Sequence, residues 1–452
     1  MWTIVYQVLL LCAYPVVRLR LRLRARREPA YGDRIPERFG RVPSGIPKGC
    51  VWFHTVSAGE TIAAAPLIAE LAAAHPLAPC LVTTMTPTGS AEVLARLGDR
   101  VHHCYAPYDF PWAVRRFFDA VEPQVLVLME TELWPNLISA AAARGVPVLL
   151  VNARLSTRSA AGYRRLGALT RRMLERLACI ACQYPSHAAR FVELGAPPER
   201  VTVLGSVKFD AMLPVGHGAR VAALRDRWRL GDGPVWIAAS THAGEDELVI
   251  AAHREIRRRL PATRLILVPR HPVRVPEVLA LCRAEGSSVG LHGVATPADA
   301  SAGVVLVDAM GVLLDYYAIA DVAFVGGSLV PVGGHNPIEP ALCGVPVVMG
   351  PQVFNFPDVV EVFRAAQALE IVEGPDGLAN VVARWLADPA LRAATGARAR
   401  AVVAANTGAS GRLRRLLDAE FVRAGVARKP RPQGHFGDPG RLRGDDNPGS
   451  FG

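Results

Sequence analysis

The apolar residues of this chain fall in short, nearly continuous runs that alternate with longer stretches of mixed polarity. The run VLVLM at 125–129 contains no polar residue, which is typical of parallel strands buried on both faces of a sheet. In the first half, the pattern predicts strands at Val51–Thr55, Cys80–Thr84, Val125–Met129, Val146–Asn152, Ile180–Tyr184 and Val201–Leu204. In the second half, it predicts strands at Val235–Ala239, Leu265–Val268, Val304–Val307, Val322–Val325 and Val345–Met349. Because helical stretches separate the strands, the sequence predicts an α/β fold with two doubly wound parallel sheets.

The two halves begin alike. VWFHTVSAGE at 51–60 and VWIAASTHAGE at 235–245 each run from a Val-Trp strand to an Ala-Gly-Glu turn, which supports a repeat of one architecture. Prolines and glycines interrupt the pattern at 211–234 and predict a linker there. We therefore expect a first domain at 28–210 and a second at 235–425. Residues 426–452 are charged and rich in Pro and Gly, a composition typical of disorder.

An apolar stretch, Met1 to Val17, is followed at once by six arginines before residue 28. Because the charge comes after the apolar run, a cleavable secretory signal is not expected. The segment 1–27 predicts a membrane-anchor helix with a basic collar, and the positive-inside rule puts the remaining chain on the cytoplasmic face of the membrane. Whether the helix spans the bilayer or lies on it is open, since spanning requires about 17–25 apolar residues. The alternative is a helix packed on the protein's own core.

The chain is strongly basic, with a formal net charge of +11 and a pI near 9.6. This charge indicates anionic partners: nucleic acid, an acidic bilayer surface or a phosphorylated substrate. Lys48, Lys208 and Lys429 are the only lysines, so the arginine excess is also explained by genomic composition, and nucleic acid is not favoured. Cys179 and Cys182 form a C-x-x-C pair in the apolar run LACIACQY, and a zinc site would need a second pair or suitable histidines nearby. The two cysteines predict buried strand thiols rather than a metal site.

The first candidate for chemistry is Glu60, in the turn after the first predicted strand. Open α/β sheets bind ligands at the carboxyl ends of their strands, where this carboxylate could accept a proton from a hydroxyl. The spacing Ser57-x-x-Glu60 is also that of a capping box, in which both side chains satisfy helix amides. On spacing alone, the cap is the better interpretation.

Two further candidates follow later strands of the first half. Glu130 opens the run ETELWPN directly after VLVLM, and Lys208 lies in GSVKFD. In a chain that uses arginine almost everywhere, a lysine at a strand end indicates that a compact ammonium is needed there. The alternatives are a helix cap for Glu130 and a solvated surface position for Lys208.

The most informative segment is FVGGSLVPVGGHNPIEPALCGVPVVMGP at 324–351, which predicts strand, glycine loop, helix and strand. We expect its glycines, at 326, 327, 333 and 334, to let backbone amides approach a phosphate, and Glu339 to accept ribose hydroxyls. No GxGxxG is present, so a dinucleotide is not favoured. Tight turns and a helix dipole would explain the same residues without a ligand. Arg270, just beyond a strand, could bind a nucleotide phosphate bidentately.

Together these motifs resemble the Kdo transferases of lipopolysaccharide assembly, over roughly residues 1–425. The resemblance is carried by Ser57-Ala58-Gly59-Glu60, by ETELWPN and by the glycine segment. It implies a GT-B fold, with two Rossmann-like domains facing across a cleft. It also implies an inverting transfer of 3-deoxy-D-manno-octulosonic acid (Kdo) from CMP-Kdo to the lipid A precursor, lipid IVA, at an anionic inner-membrane surface. No cofactor and no metal are implied.

The resemblance also assigns roles to residues. Glu60 corresponds to the general base, while Glu130 and Lys208 correspond to residues implicated in stabilising the transition state. The positions that match CMP contacts are Pro269, Arg270, Met310, Gly311, Val312, Asn336, Pro337, Ile338 and Glu339. This chain departs from the family pattern at Ala58, at Val312 where glutamate is expected, and at Pro331-Val332. A contact at 312 would therefore be made by the backbone.

Two other functions fit parts of the pattern. A UDP-sugar transferase or epimerase could use the same fold, because fold alone does not fix function; competition by uridine rather than cytidine nucleotides would reveal it. A non-catalytic membrane-surface protein could use the basic face to hold anionic lipid or RNA. Such a protein would have no use for Glu60, Glu130 and the glycine loop together.

Overall fold

The computed structural model describes residues 2–231, 233–294 and 301–426, with side chains from residue 5. Its strands are β1 Val51–His54, β2 Cys80–Thr84, β3 His102–Tyr105, β4 Val125–Met129, β5 Val148–Ala153, β6 Cys179–Cys182, β7 Val201–Val203, β8 Val235–Thr241, β9 Arg264–Pro269, β10 Val289–Leu291, β11 Val304–Leu306, β12 Val322–Val325, β13 Val347–Met349 and β14 Leu369–Ile371. Its α-helices are α1 Trp2–Arg27, α2 Ala58–Ala74, α3 Pro87–Leu97, α4 Pro111–Val121, α5 Pro135–Ala143, α6 Thr157–Leu166, α7 Ala168–Leu174, α8 Pro185–Glu193, α9 His217–Arg227, α10 Asp246–Arg259, α11 Val275–Ala284, α12 Leu313–Tyr317, α13 Ile338–Leu342, α14 Pro357–Ala365, α15 Gly374–Ala387, α16 Pro389–Asn406 and α17 Ala409–Arg423.

The strands form two seven-stranded parallel sheets, as the apolar runs predict. The first sheet has the order β3-β2-β1-β4-β5-β6-β7. Val51 of β1 pairs with Cys80 on one side and with Val125 on the other. The order in which successive strands are added to the sheet therefore reverses between β1 and β4. Open α/β sheets bind their ligands at such a position.

The second sheet has the order β10-β11-β9-β8-β12-β13-β14 and reverses between β8 and β12. Apolar residues cover both of its faces: Trp236 packs with α10 and α15 on one face, and Ile237 packs with Trp228 and Tyr316 on the other. Since successive residues of β8 point to opposite faces, both faces are buried and the sheet is doubly wound. The predicted linker at 211–234 contains α9, whose Leu224 joins the second of these cores.

The chain divides into two compact units. Of the described residues, those up to 128, 133–149 and 416–426 form the first unit, and 129–132 and 150–415 form the second. Within the first unit, the end of α17 packs on the start of the chain's first sheet: Asp418 Oδ1 lies 2.9 Å from His75 Nε2, and the ring of Phe421 lies 6.4 Å from that of Phe53. The sequence did not predict that the end of α17 packs against the first unit. The predicted domain bounds stay a prediction.

Helix α1 has two different faces. Leu21 is only 5% exposed and packs with Tyr31, Phe39 and Phe110, and Tyr6 donates a hydrogen bond to Asp109 Oδ2 at 2.8 Å. The opposite face leaves a row of apolar side chains exposed: Val5, Val8, Leu9, Val16, Leu19 and Leu23. In the part of the chain that the structure describes, no helix has the length and apolar character needed to cross a bilayer.

Three strands were not predicted, namely β3, β10 and β14, and each lies at the edge of its sheet. Cys179 and Cys182 are buried on β6, as expected of strand cysteines. The predicted disordered tail at 426–452 lies outside the described residues except for Val426.

Candidate active site

Glu60 lies in the first turn of α2 and closes a capping box. Its backbone N–H donates to Ser57 Oγ at 3.4 Å, and its carboxylate accepts from Ser57 Oγ at 2.9 Å and from the Val56 N–H at 2.8 Å. The capping interpretation of the sequence is therefore realised in the structure. The side chain is nevertheless only partly buried, and Val56 and Ser57, which donate to its carboxylate, lie within four residues of it. Its role as a base stays a prediction.

Glu130 follows β4 and meets two cations. Its carboxylate lies 2.8 Å from Arg154 Nε and 4.0 Å from Lys208 Nζ, while Lys208 Nζ also lies 4.9 Å from the centre of the Phe356 ring. The backbone of Glu130 is left-handed, with φ +57°, a conformation that costs energy for a residue with a Cβ and is concentrated at functional sites. The structure thus brings Glu130 and Lys208 together, and adds Arg154.

Asn152, near the end of β5, was not singled out by the sequence. It too is left-handed, with φ +49°, and is 2% exposed. Its backbone carbonyl accepts from Gln183 Nε2 at 2.8 Å, and its Oδ1 accepts from the N–H of Val207, the neighbour of Lys208. Among the described residues its Nδ2 has no hydrogen-bond acceptor. Only its position at a strand end, beside Glu130, could have indicated it.

The last residue of ETELWPN has a structural role. Asp109 accepts hydrogen bonds from the backbone N–H groups of Asn136 and Leu137 at 2.9 and 2.8 Å, and Asn136 Nδ2 donates to the Asp109 carbonyl at 2.6 Å. These contacts cap the N-terminus of α5. Burial raises the pKa of Asp109 to about 6, against the lowering effect of the bonds from Asn136, Tyr6 and Leu137.

The glycine loop after β12 does not present its amides as predicted. The N–H groups of residues 327, 328 and 329 donate to the carboxylate of Glu245 at 2.7, 3.0 and 2.9 Å. Those of Gly333 and Gly334 donate to the carbonyl of Gly327. A Cβ at Gly326 would lie 2.9 Å from Glu245 Oε2. The prediction that these amides reach a phosphate is therefore wrong for this structure, since a buried carboxylate already occupies the position.

Glu339 and Arg270 lie near one another in the second unit. Asn336 Nδ2 donates to Glu339 Oε1 at 3.3 Å. Burial raises the pKa of Glu339, while the hydrogen bond from Asn336 and the charge of Arg270 lower it. The backbone N–H of Arg270 donates to the Thr241 carbonyl, and its side chain is exposed beyond β9. The structure brings Arg270, Asn336 and Glu339 near one another, and their contact with a nucleotide stays a prediction.

The other predicted CMP contacts differ in whether a side chain or only the backbone would be accessible to a ligand. Ile338 is fully buried in a core cluster, and Val312 packs against a second core beside Tyr316, so a ligand would meet their backbone. Met310 is 68% exposed, and Gly311 has φ +82°. Pro269 ends β9, and Pro337 precedes α13. All nine contacts stay predictions.

Three histidines next to these residues were not predicted as a group. His242 Nε2 lies 2.8 Å from His335 Nε2, and the ring of His271 lies 5.7 Å from that of His242. Burial, the largest cause, and the charges of Arg270, His242 and His271 together lower the pKa of His335 to about 4. They come from three loops, so sequence spacing gives no signal that they meet.

Known proteins resemble the chain over most of its length. The family described as 3-deoxy-D-manno-octulosonic-acid transferase (kdotransferase) matches residues 33–211. A 3-deoxy-D-manno-octulosonic acid transferase of Haemophilus influenzae is 38% identical over 422 residues, covering 92% of this chain and 98% of that protein. The same enzyme of Bordetella pertussis is 38% identical over 437 residues, with the same coverage of each chain.

The fold has solved counterparts as well. The crystal structure of UDP-GlcNAc 2-epimerase from Neisseria meningitidis bound to UDP-GlcNAc matches with a TM-score of 0.55 and 15% identity, covering 82% of this chain and 100% of that one. At this identity the likeness shows the fold alone, which is that of the GT-B glycosyltransferases.

Proposed function

The chain belongs to the 3-deoxy-D-manno-octulosonic-acid transferase family, and on that premise we propose that it transfers Kdo from CMP-Kdo to lipid IVA with inversion at the anomeric carbon. The observation that carries the proposal is a relative of the same activity that is 38% identical over 92% of the chain. The three motifs that predicted the family support it, because each lies at the end of a sheet strand.

Glu60 is the proposed general base. It would take the proton of the acceptor's primary hydroxyl as the oxygen attacks the anomeric carbon. Its carboxylate must leave the Val56 and Ser57 groups that it binds at 2.8 and 2.9 Å, and a net cost of about 1 kcal/mol for each such bond is small enough to allow it. The partial exposure of the side chain gives an acceptor access.

Glu130 and Lys208 are proposed to stabilise charge in the transition state. The two side chains form an ion pair, and Arg154 also pairs with Glu130. Asn152 accepts a hydrogen bond from the backbone N–H of Val207, next to Lys208. A preorganised charged group needs no reorganisation when charge develops, which is the largest electrostatic contribution in many enzymes. The strained backbones of Glu130 and Asn152 support a role in preorganisation.

The second unit is proposed to hold the nucleotide. Arg270 would bind the phosphate of CMP. Glu339 would accept hydrogen bonds from the ribose or base, and Asn336 would donate hydrogen bonds to them. The backbone at Met310, Gly311 and Val312 would complete the site. This assignment does not require the amides of the glycine loop, which Glu245 occupies.

The membrane surface is the proposed place of the reaction. The exposed row of α1 contains Val8, Leu9, Val16 and Leu19, and exposed arginines follow from Arg18 to Arg27. A helix with one apolar face and flanking cations lies in the plane of an anionic bilayer, with its apolar face buried in the interface. We place the catalytic units on the cytoplasmic face of the inner membrane, with α1 as an in-plane anchor.

The decisive experiment incubates the purified full-length chain with CMP-Kdo and lipid IVA and weighs the lipid product. A mass increase of one or more Kdo residues is expected, with no increase for the Glu60→Gln variant. Unlabelled cytidine nucleotides should compete and uridine nucleotides should not. Competition by uridine alone, with an unchanged lipid, would favour the UDP-sugar alternative and overturn the proposal.

A further inference from the structure

His242, His271 and His335 form what we call the histidine cluster, which borders the predicted nucleotide site of the second unit. His242 comes from the turn after β8, His271 from the turn after β9, and His335 from the loop that precedes α13. The charge of Arg270 acts on both His335 and Glu339. The cluster is therefore next to the residues assigned to CMP, although no motif includes all three histidines.

The contact between His242 and His335 fixes how many protons the pair can carry. Their Nε2 atoms are 2.8 Å apart and their rings are coplanar to within 2°. One Nε2 must donate and the other must accept, so the accepting ring is neutral. The donating ring can still take a proton on its Nδ1. The contact then becomes a charge-assisted hydrogen bond, which is stronger than the neutral one. The pair has room for one additional proton.

The surroundings oppose that proton in the free protein. Burial lowers the pKa of His242, and the charges of His271, Arg270 and Arg274 lower it further. Asp246 alone acts in the opposite direction, and its carboxylate is paired with Arg274 at 2.7 Å. The nearby Glu245 is buried and accepts the backbone N–H of His242 at 3.2 Å. Asp246 is paired with Arg274 and Glu245 with backbone amides, so the charges that act on the His242–His335 pair are mainly positive.

We propose that the histidine cluster binds the phosphate of the donor nucleotide and takes up one proton as CMP leaves. The inference rests on the proposed function and deepens it. In the donor, the phosphate is a diester with one negative charge. Breaking the bond between the anomeric carbon and the phosphate oxygen leaves the electron pair on that oxygen, and CMP departs as a monoester with two charges.

A proton on the histidine pair offsets the charge that the leaving phosphate gains. The acceptor hydroxyl delivers its own proton to Glu60, whereas the proton on the histidine pair comes from the solvent and returns to it when CMP dissociates, so the reaction balances with no reactant other than water. Histidine is suited to this because small changes in its surroundings move its pKa across neutrality. Binding an anion of charge two raises the pKa of the pair, and CMP affinity must then rise as pH falls.

The test measures proton exchange when CMP binds to the full-length protein. Calorimetric titrations at pH 7 in two buffers of different ionisation enthalpy give the net number of protons. We expect uptake with CMP and none with cytidine, which has no phosphate. The sign is informative because a phosphate monoester has a second pKa of about 6. A site that selected the dianion with arginine alone would release protons.

Two variants assign the proton to the pair. His335→Asn and His242→Asn keep a hydrogen-bonding side chain but remove the titrating ring. Each should abolish the uptake and flatten the dependence of the CMP Kd on pH, which in the wild type approaches about tenfold per pH unit. His102→Asn, at the start of β3 in the first unit, is the matched control and should behave as wild type.

The outcomes separate the inference from the function on which it rests. CMP binding to the wild type without proton uptake would overturn the inference and leave the transferase proposal intact, as would uptake that persists in both variants. No CMP binding by the wild type would overturn both. If one variant does not fold, the other decides, because each removes one ring of the pair.

Discussion

Two Ala-Gly-Glu turns follow the first strands of the two sheets, and their glutamates have opposite surroundings. Glu60 is partly exposed and binds groups within four residues of itself. Glu245 is fully buried and accepts four backbone N–H groups, three of them from residues 327–329 and one from His242. The same three residues therefore produce one carboxylate that is partly exposed and one that holds a distant loop. The shared sequence places each carboxylate just after a strand, and the loop after β12 is what engages Glu245.

The largest effect expected from this comparison is on turnover. Glu60→Gln should lower turnover by about 10²–10⁴-fold, the usual contribution of a general base, while CMP binding persists. Glutamine at this position can maintain the capping box, so folding should be unaffected. Steady-state kinetics with CMP-Kdo and acceptor measure the loss. Glu70→Gln, an exposed acid on the same helix, is the control. Normal turnover with a lowered Tm would mean that Glu60 is only a cap.

The second turn should respond in stability instead. Glu245→Ala leaves buried N–H groups without an acceptor, each costing about 1–3 kcal/mol, so we expect a loss of at least about 3 kcal/mol in the free energy of unfolding. Denaturant unfolding measures it, with Glu247→Ala, an exposed acid two residues later, as control. A Glu245→Ala protein of unchanged stability would remove the contrast between the two turns.

A third glutamate sharpens the contrast, because in the second unit we assign ligand binding to Glu339 rather than to Glu245. Glu339→Ala and Arg270→Ala should each weaken CMP binding by about ten- to a hundredfold, as expected for hydrogen bonds that involve a charged group. The arginine effect should diminish at high salt, since it acts on phosphate. Calorimetry gives the affinities, and Arg283→Ala on the exposed side of α11 is the control. Unchanged affinity in both variants would refute the nucleotide assignment.

The smallest expected effect concerns the delivery of the lipid acceptor to Glu60 by the proposed anchor helix α1. Leu9→Gln should reduce partitioning onto anionic vesicles by about tenfold, because one buried leucine contributes at least about 1.5 kcal/mol. Transfer to acceptor in vesicles should fall, while transfer to detergent-dispersed acceptor and the Tm are maintained. Leu77→Gln, an exposed leucine elsewhere, is the control. Equal vesicle binding by both proteins would contradict an in-plane anchor.

The sequence predicted the sheet centres well and their edges poorly, for a physical reason. Central strands such as β4 and β12 are buried on every side and must be apolar throughout. The edge strand β3 is HHCY, half of it only partly buried, and therefore carries no apolar run. β10 and β14, at the edges of the second sheet, have three residues each. Edge strands are short and partly polar because they meet solvent.

Site residues were predicted where each follows its own strand. Contacts between loops that are distant in sequence were missed. The contact between Glu130 and Lys208 follows from two strand ends of one sheet. The occupation of the glycine loop by Glu245 does not, because the carboxylate comes from a turn some eighty residues earlier. The repeat of Ala-Gly-Glu was the only signal that pointed to that turn. The strain at Asn152 had none, since backbone dihedrals are set by tertiary packing.

The return of α17 to the first unit has a consequence for biosynthesis. Phe421 and Asp418 complete a surface formed by Phe53 and His75, yet they leave the ribosome only after the whole second unit has been made. At about 5–20 residues per second, that surface waits on the order of ten seconds or more for its cover. The unit translated first is therefore the last to be finished. Until then its uncovered apolar side chains are available to chaperones, and to neighbouring nascent chains on the same polysome.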